Sequence, residues 1–254
     1  MLDSTNRVLL TICPSRNRPN SCREMIESFV ATRDDSQESA LFVLVDTDDP
    51  LIEGYRALRG EYHDVVITEY PPRGSATIIA DEEARFWADK PDIALIGFVG
   101  DDCRFRTPSW DEKFLRYTRG KEPCIIYPAD GFRTDNLPTH SWLSSSIVRT
   151  VGLCPHFYHL GIDVVWHLWG RTLGPEHFLH APEVLVEHLH PLAGKAEMDS
   201  SYERTSGAAA LRTTELELWR YKRDFELPGG DRDKLLSLLK KGTTSEPGPV
   251  NHQA

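Results

Sequence analysis

Several protein classes are excluded by what the sequence lacks. Its five cysteines, Cys13, Cys22, Cys103, Cys124 and Cys154, are an odd, scattered set with neither a CxxC pair nor zinc-ligand spacing. That argues against a disulfide framework and for reduced thiols in a cytoplasmic protein. No apolar run approaches the ~20 residues a membrane-spanning helix needs. The opening residues, Met1-Leu2-Asp3-Ser4, have no basic segment followed by an apolar stretch, so they do not read as a signal peptide. Positive charge is scarce: 29 Lys and Arg face 39 Asp and Glu, a formal net charge of −10. Such a field repels nucleic acid at long range, whereas an acidic site that recruits a divalent cation fits it. Zinc-hydrolase spacing of the His-Glu-x-x-His kind is missing. Neither Gly-x-Gly-x-x-Gly nor a Walker Gly-x-x-x-x-Gly-Lys-Ser/Thr follows the first apolar run, which argues against a dinucleotide site and a P-loop. No internal repeat or low-complexity tract is present.

What is present is an ordinary globular composition, 40% hydrophobic over 254 residues, enough for one large α/β domain. Apolar runs at residues 7–13, 40–45, 65–68 and 93–99 read as buried strands, and the stretches 21–32 and 75–89 between them carry helical stripes. Strands alternating with helices predict βαβ crossovers and a mostly parallel sheet. Thr107-Pro108-Ser109-Trp110-Asp111 reads as a helix start with Thr107 as cap. Beyond Pro123 the pattern is mixed. Strands are predicted at 124–127, 142–145 and 184–189, and helices at 162–173 and 208–225. Pro228-Gly229-Gly230 is expected to end the packed part. A last helix over 231–241 and a polar tail without fixed structure follow.

Three strands end in polar loops, and ligands of open α/β sheets bind at the carboxyl ends of strands. After the first strand, Arg16 and Arg18 can hold phosphates through charge-assisted forks, or stand as exposed loop charges. After the second, Asp46, Asp48 and Asp49 can accept from ribose hydroxyls or a base edge, or simply form an Asp-rich turn. After the fourth, Asp101 and Asp102 are adjacent carboxylates suited to magnesium or manganese, or to a solvated turn. His188 and His190 share a strand face, where an imidazole can complete a cation's shell or merely pack. Asp163, after Gly161-Ile162, can be a general base or a favourable charge at a helix N-terminus.

Taken in order, these segments resemble the GT-A glycosyltransferases, especially the nucleotide-sugar-dependent family-2-like group, over roughly residues 7 to 225. P-S-R-N-R-P looks like that family's opening nucleotide contact and V-D-T-D-D like its base and ribose contact. F-V-G-D-D-C looks like a variant of its Asp-x-Asp metal motif, and T-P-S-W-D follows it as in small relatives. G-I-D-V-V-W looks like the acceptor-side segment with the catalytic acid. H-L-H-P, followed by Gly194-Lys195 and Asp199-Ser200-Ser201-Tyr202, looks like the late His ligand and flexible lid. A strict Asp-x-Asp is missing, since the triplets are Gly100-Asp101-Asp102 and Asp101-Asp102-Cys103.

The resemblance implies an α/β GT-A fold in one domain over 1–227, with a nucleotide-sugar half (1–105) and an acceptor half (106–227). It implies a donor site of Pro14, Arg16, Arg18, Asp46, Asp48, Arg73, Asp101 and Lys195. Mn2+ or Mg2+ is expected on Asp102 with His190, or His188 in its place, and Asp163 is expected to act as base in an inverting transfer to a hydroxyl. Trp110, His156, His159 and Trp166 are expected on the acceptor side. A nucleotidyltransferase on a similar sheet, or an inactive nucleotide-sugar-binding protein, stays open as an alternative. The acceptor stays open too, as a glycan, a small molecule or a modified DNA base.

Overall fold

The computed structural model describes residues 8–133, 137–157, 161–199, 202–203 and 207–242. In chain order the first half runs β1 (Val8–Ser15), α1 (Pro19–Thr32), β2 (Ser39–Asp46), α2 (Ile52–Arg56), β3 (Val65–Tyr70), α3 (Ala76–Ala88) and β4 (Ile93–Phe98). The second half runs β5 (Cys103–Phe105), α4 (Trp110–Thr118), β6 (Ile125–Ala129), β7 (Ser141–Ser144), α5 (Ser145–Val151), α6 (Ile162–Leu173) and β8 (Phe178–His188). Helices α7 (Ala208–Phe225) and α8 (Asp231–Gly242) follow.

The eight strands lie in the order β3-β2-β1-β4-β7-β6-β8-β5. β1 to β4 pair in parallel, as their continuous apolar runs predict. The later half is mixed: β7 runs antiparallel to β4 and β6, β6 pairs in parallel with β8, and β5 closes the edge antiparallel to β8. The parallel expectation therefore holds for β1 to β4 and for the β6–β8 pair, and fails for the other pairings. This order brings the carboxyl ends of β1, β2 and β4 side by side.

Apolar side chains fill both faces of the sheet. One layer packs Met25, Ile26 and Phe29 of α1 and Trp110 and Phe114 of α4 against Cys13, Val43 and Trp142. The other packs Ile79 and Ala80 of α3, Trp166 and Trp169 of α6, and Leu235 of α8 against Leu10, Ile12 and Ile96. Trp110 and Trp166, expected to face an acceptor, are fully buried here. Trp110 sits among Phe29, Phe105, Phe114 and Trp142, and the Trp166 indole donates to the Leu153 carbonyl at 2.7 Å. Both are core residues of amphipathic helices and offer no face to a sugar.

Two boundaries also differ from expectation. α4 starts at Trp110 behind Ser109, which takes a left-handed φ of 52° with no side-chain cap. Thr107 caps nothing there, because its hydroxyl is engaged with β8 at Glu183 and Leu185. Pro228–Gly230 does not end the packed part either: Leu235 of α8 is fully buried. Residues 243–254 of the expected tail lie outside the described residues.

One glycine is dictated by packing. Gly97 of β4 lies opposite Trp142 of β7, and a Cβ there would stand 2.3 Å from the indole nitrogen. Trp142 is fully buried and its indole donates to Thr11 at 3.1 Å, so it has nowhere to retreat. Gly97→Ala is expected to destabilise the fold by about 2–3 kcal/mol, read as a lower urea midpoint. An unchanged midpoint would show that Trp142 can move.

Candidate active site

The loop after β1 is set by three braces. Asn17 adopts φ 62°, and its N–H donates to the buried Asp49 carboxylate at 2.8 Å. Asp49 also accepts from the Leu51 N–H at 2.7 Å. The Arg18 N–H donates to the Tyr55 hydroxyl at 2.9 Å, and that hydroxyl shares a 2.7 Å hydrogen bond with Ser15. The two arginines diverge as a result. Arg16 reaches the end of β2, bonding Asp46 at 2.8 Å and also Asp48. Arg18 turns toward the end of β4.

There the adjacent carboxylates have opposite surroundings. Asp101 is 5% exposed; it accepts from Ser15 at 2.6 Å and from Arg18 at 3.2 Å. Burial, with the charge of Asp102, outweighs those donors and raises its carboxyl to about 6. In this structure its carboxylate braces Ser15 and Arg18. For Asp102 burial also favours the neutral form, but His188 and the Tyr202 hydroxyl outweigh it and hold the carboxyl well below the usual range. Asp102 is therefore the carboxylate that stays ionised near neutral pH.

Its neighbours come from the end of the chain. Tyr202 donates its hydroxyl to Asp102, and its ring lies 4.5 Å from the Arg18 guanidinium carbon. The Arg18 Nε and Nη2 donate to Asp199 at 2.7 and 2.6 Å, a forked pair between residues 181 apart. His188 Nε2 lies 3.5 Å from Asp102 Oδ2, and His188 Nδ1 is buried without a partner among the described residues. The β5–β8 ladder sets this position by pairing Cys103 with His188. Beneath it His140 packs edge-on at 5.1 Å, its own Nε2 lying 3.2 Å from the buried Cys103 sulfur.

His190, the first choice for the metal, is oriented otherwise. Its Nδ1 accepts from the Leu192 N–H at 3.1 Å, and its ring stacks on Phe132. In this structure its Nδ1 is thus engaged within its own turn. His188 is the imidazole placed to share one with Asp102. Two ligands at about 2.1 Å from one cation lie roughly 3.0–3.5 Å apart, so the Asp102–His188 pair fits a divalent ion. Among the described residues no group of three or more His, Cys, Asp or Glu is assembled for a metal.

Asp163 sits in the first turn of α6, behind Gly161 at φ 101°. Its carboxylate accepts from the Val164 N–H at 2.8 Å. Burial raises this carboxyl despite that bond and the opposing charges of Arg133 and His188.

Other expected residues stand apart. Lys195 pairs with Glu187 at 2.8 Å and donates to the Gly131 carbonyl at 3.0 Å. Arg73 lies 3.8 Å from Glu82, beyond the edge strand β3. His156 pairs with Asp81 of α3 at 3.1 Å. Pro14 occupies a strand position opposite Leu44. The polar contacts of Lys195, Arg73 and His156 named here run to Glu187, Gly131, Glu82 and Asp81, away from the Asp101–Asp102 cluster. His159 lies outside the described residues. Sequence reasoning missed Ser15, Tyr55 and His140, and only Ser15, at the end of an apolar strand, carried a signal.

No known sequence family matches the chain, and no curated protein matches it by sequence. Solved structures do match in fold. The S. aureus protein TarS, residues 1-349 in complex with UDP-GlcNAc, aligns with TM-score 0.58 and 10% identity, covering 93% of this chain and 73% of that one. The mannosyltransferase PcManGT from Pyrobaculum calidifontis, in complex with GDP-Man and Mn2+, aligns with TM-score 0.56 and 10% identity, covering 92% and 79%. The chain has the GT-A fold.

Proposed function

From that fold, we propose that the chain is a glycosyltransferase that moves a sugar from a nucleoside-diphosphate sugar to a hydroxyl acceptor, with inversion at the anomeric carbon. The observation that carries the reading is the meeting of Arg18, Asp102 and His188 at the carboxyl edge of the sheet. Both structural neighbours named above are complexes with nucleotide sugars, which agrees with it.

Each group has a chemical part. Arg18 offers a guanidinium fork matched to phosphate oxygens. Asp46 and Asp48, held by Arg16, accept from ribose hydroxyls or a base edge. Asp102 and His188 would hold Mn2+ or Mg2+, the remaining positions falling to donor phosphates and water. When bound, such a cation supplies Lewis-acid stabilisation of the diphosphate leaving group. Asp163 takes the proton of the acceptor hydroxyl on its carboxylate oxygen. One base with no enzyme nucleophile is the arrangement of a single displacement, hence inversion.

The test is a panel of nucleotide sugars incubated with manganese, following release of nucleoside diphosphate. Release from one donor, lost with EDTA and restored by manganese, is expected. No release from any donor, together with no thermal stabilisation by UDP or GDP, would sink the reading.

The metal assignment has a prediction of its own. His188→Ala is expected to weaken manganese-dependent UDP or GDP binding by about 10–100-fold, and His190→Ala by much less. Calorimetric titrations with and without manganese measure both, and the reverse order would return the assignment to His190.

A further inference from the structure

We propose that the outer face of α7 docks the chain onto an anionic lipid bilayer, with Trp219 and Leu216 at headgroup depth and arginines around them on the lipid phosphates. The inference goes beyond the donor reading above and does not rest on it.

A surface helix needs one apolar stripe, turned to the core. α7 has that stripe already. Its Thr214 and Phe225 are buried. Tyr221, on the same side, accepts from the Trp169 indole at 2.6 Å and donates to Asp231 at 2.9 Å. Leu218 closes over Gly161 at the head of α6, where an added Cβ would stand 3.1 Å from it. These contacts hold the helix in place and fix which side faces out.

The outward side is not the polar face that such a helix ordinarily shows. Trp219 is 60% exposed and Leu216 46%, and Leu211 and Leu227 are exposed toward either end. Residues three and four apart share a helix face, so Arg212, Leu216, Trp219, Arg220 and Arg223 form one stripe. All five are exposed, three are arginines and none is a carboxylate. The Arg223 guanidinium carbon lies 5.4 Å from the Trp219 ring centroid, and the same guanidinium pairs with Asp224 at 2.7 Å beside the stripe. Glu215 stands at the stripe's margin. In a chain of net charge −10, the face is a local reversal of sign.

Indole, aliphatic and arginine side chains together select the partner. Tryptophan settles among lipid headgroups, leucines enter the acyl boundary, and arginines meet the phosphates. A nucleic acid backbone would engage the arginines but gives Leu211 and Leu216 nothing to bury against. A second copy of the chain on a two-fold axis would set arginines against arginines. The acidic remainder of the chain does not prevent docking, because charges farther than about 8 Å from the surface are largely screened at physiological salt. Among the described residues no helix is long and apolar enough to cross a membrane. α7 therefore lies on the bilayer and does not span it.

The test uses the full chain and vesicles of phosphatidylcholine, either pure or with phosphatidylglycerol as a third of the lipid. Docking predicts sedimentation with the mixed vesicles about tenfold tighter than with the pure ones, weakening as salt rises. Tryptophan emission should move to shorter wavelength on the mixed vesicles, a shift missing from Trp219→Phe. Trp219→Ala and the double variant Arg212→Glu/Arg220→Glu should each bind about tenfold more weakly at the parent's melting temperature, since all three side chains are exposed. No binding to mixed vesicles, equal binding to both kinds, or binding that survives both variants overturns the proposal. Sedimentation velocity without lipid adds one more outcome: a parent dimer that Trp219→Ala dissolves would give the face to a second copy, and the docking fails. None of these readouts involves a nucleotide, so failure here leaves the donor reading standing.

Discussion

Asp102→Ala is expected to remove manganese-dependent binding of nucleoside diphosphate and to lower transfer by about 10²–10³-fold, the scale of a lost cation contact worth several kcal/mol. The side chain is placed for one task. It is the carboxylate of the pair that stays ionised, it lies 3.5 Å from His188, and it follows a buried strand whose backbone fixes it. Asp101 cannot take over, since its carboxylate is buried and already serves Ser15 and Arg18. Stability should change in a definite direction. A carboxyl held below its unfolded value contributes stability above that value and loses it as pH falls through the folded one. The alanine variant should therefore melt somewhat lower than the parent at pH 7, with the difference closing at very acid pH. Removing one of two adjacent charges also relieves Asp101, which limits the loss. Calorimetry of UDP and GDP with and without manganese decides the matter on folded protein. Manganese dependence equal to the parent's would remove Asp102 from the metal site.

How much of this was legible in the sequence divides by the range of the interactions. The four parallel strands were readable because strands buried on both faces must be continuously apolar, as 40–45 and 93–99 are. α6 and α7 were readable because their stripes run over several turns. β5 was not: three residues carry no period, and its buried Arg104 is satisfied by Glu24 of α1 together with the Asp101 and Cys103 carbonyls. α5 was not legible either: the expected strand 142–145 takes in only its first residue, Ser145, and the β-branched content of Ser145–Val151 disfavours a helix that packing against α3 and α8 nonetheless forms. The first half of β8 was hidden by Pro182 and by the register shift near Leu185.

The site divides in the same way. Arg16, Arg18, Asp101 and Asp102 could be picked out because loops at strand ends are local features. Which arginine meets which acid could not, because that depends on Asn17 and Tyr55 turning the loop. The Arg18–Asp199 and Asp102–Tyr202 contacts join residues 181 and 100 positions apart, and no local pattern encodes them. Trp110 and Trp166 were misjudged for a related reason: an aromatic residue on an amphipathic helix reads alike whether it meets a sugar or the core. Nor could the sequence weigh His188 against His190, because what separates them here is a hydrogen bond from the Leu192 N–H to the His190 ring and the 3.5 Å approach of His188 to Asp102.

The last expected result concerns Asp163→Asn: transfer falls by about 10²-fold or more, while nucleotide binding stays near the parent's. The two explanations of Asp163 differ in what charge does. As a helix-terminal residue it accepts from the Val164 N–H, and asparagine makes that bond about as well. As a base it must carry a negative charge at the acceptor hydroxyl, and asparagine cannot. Its raised carboxyl adds a second discriminator. The base works only when ionised, so transfer by the parent should fall as pH drops through a midpoint above the ordinary carboxylate value of about 3.9, and the variant's residual transfer should lack that limb. Stability should move the other way. A carboxyl raised on folding favours the folded state while protonated, and that advantage is lost as pH rises from the unfolded value through the folded one. Asparagine never carries the buried charge, so at pH 7 the variant should melt at the parent's temperature or above it, with the difference gone near pH 3. Burial thus costs the chain stability at Asp163, which is what a group kept for chemistry rather than for the fold would show. Transfer, pH profile and melting curve on the one variant test this together. Full activity with an unaltered acid limb would leave Asp163 a helix-end residue and send the search for the base elsewhere.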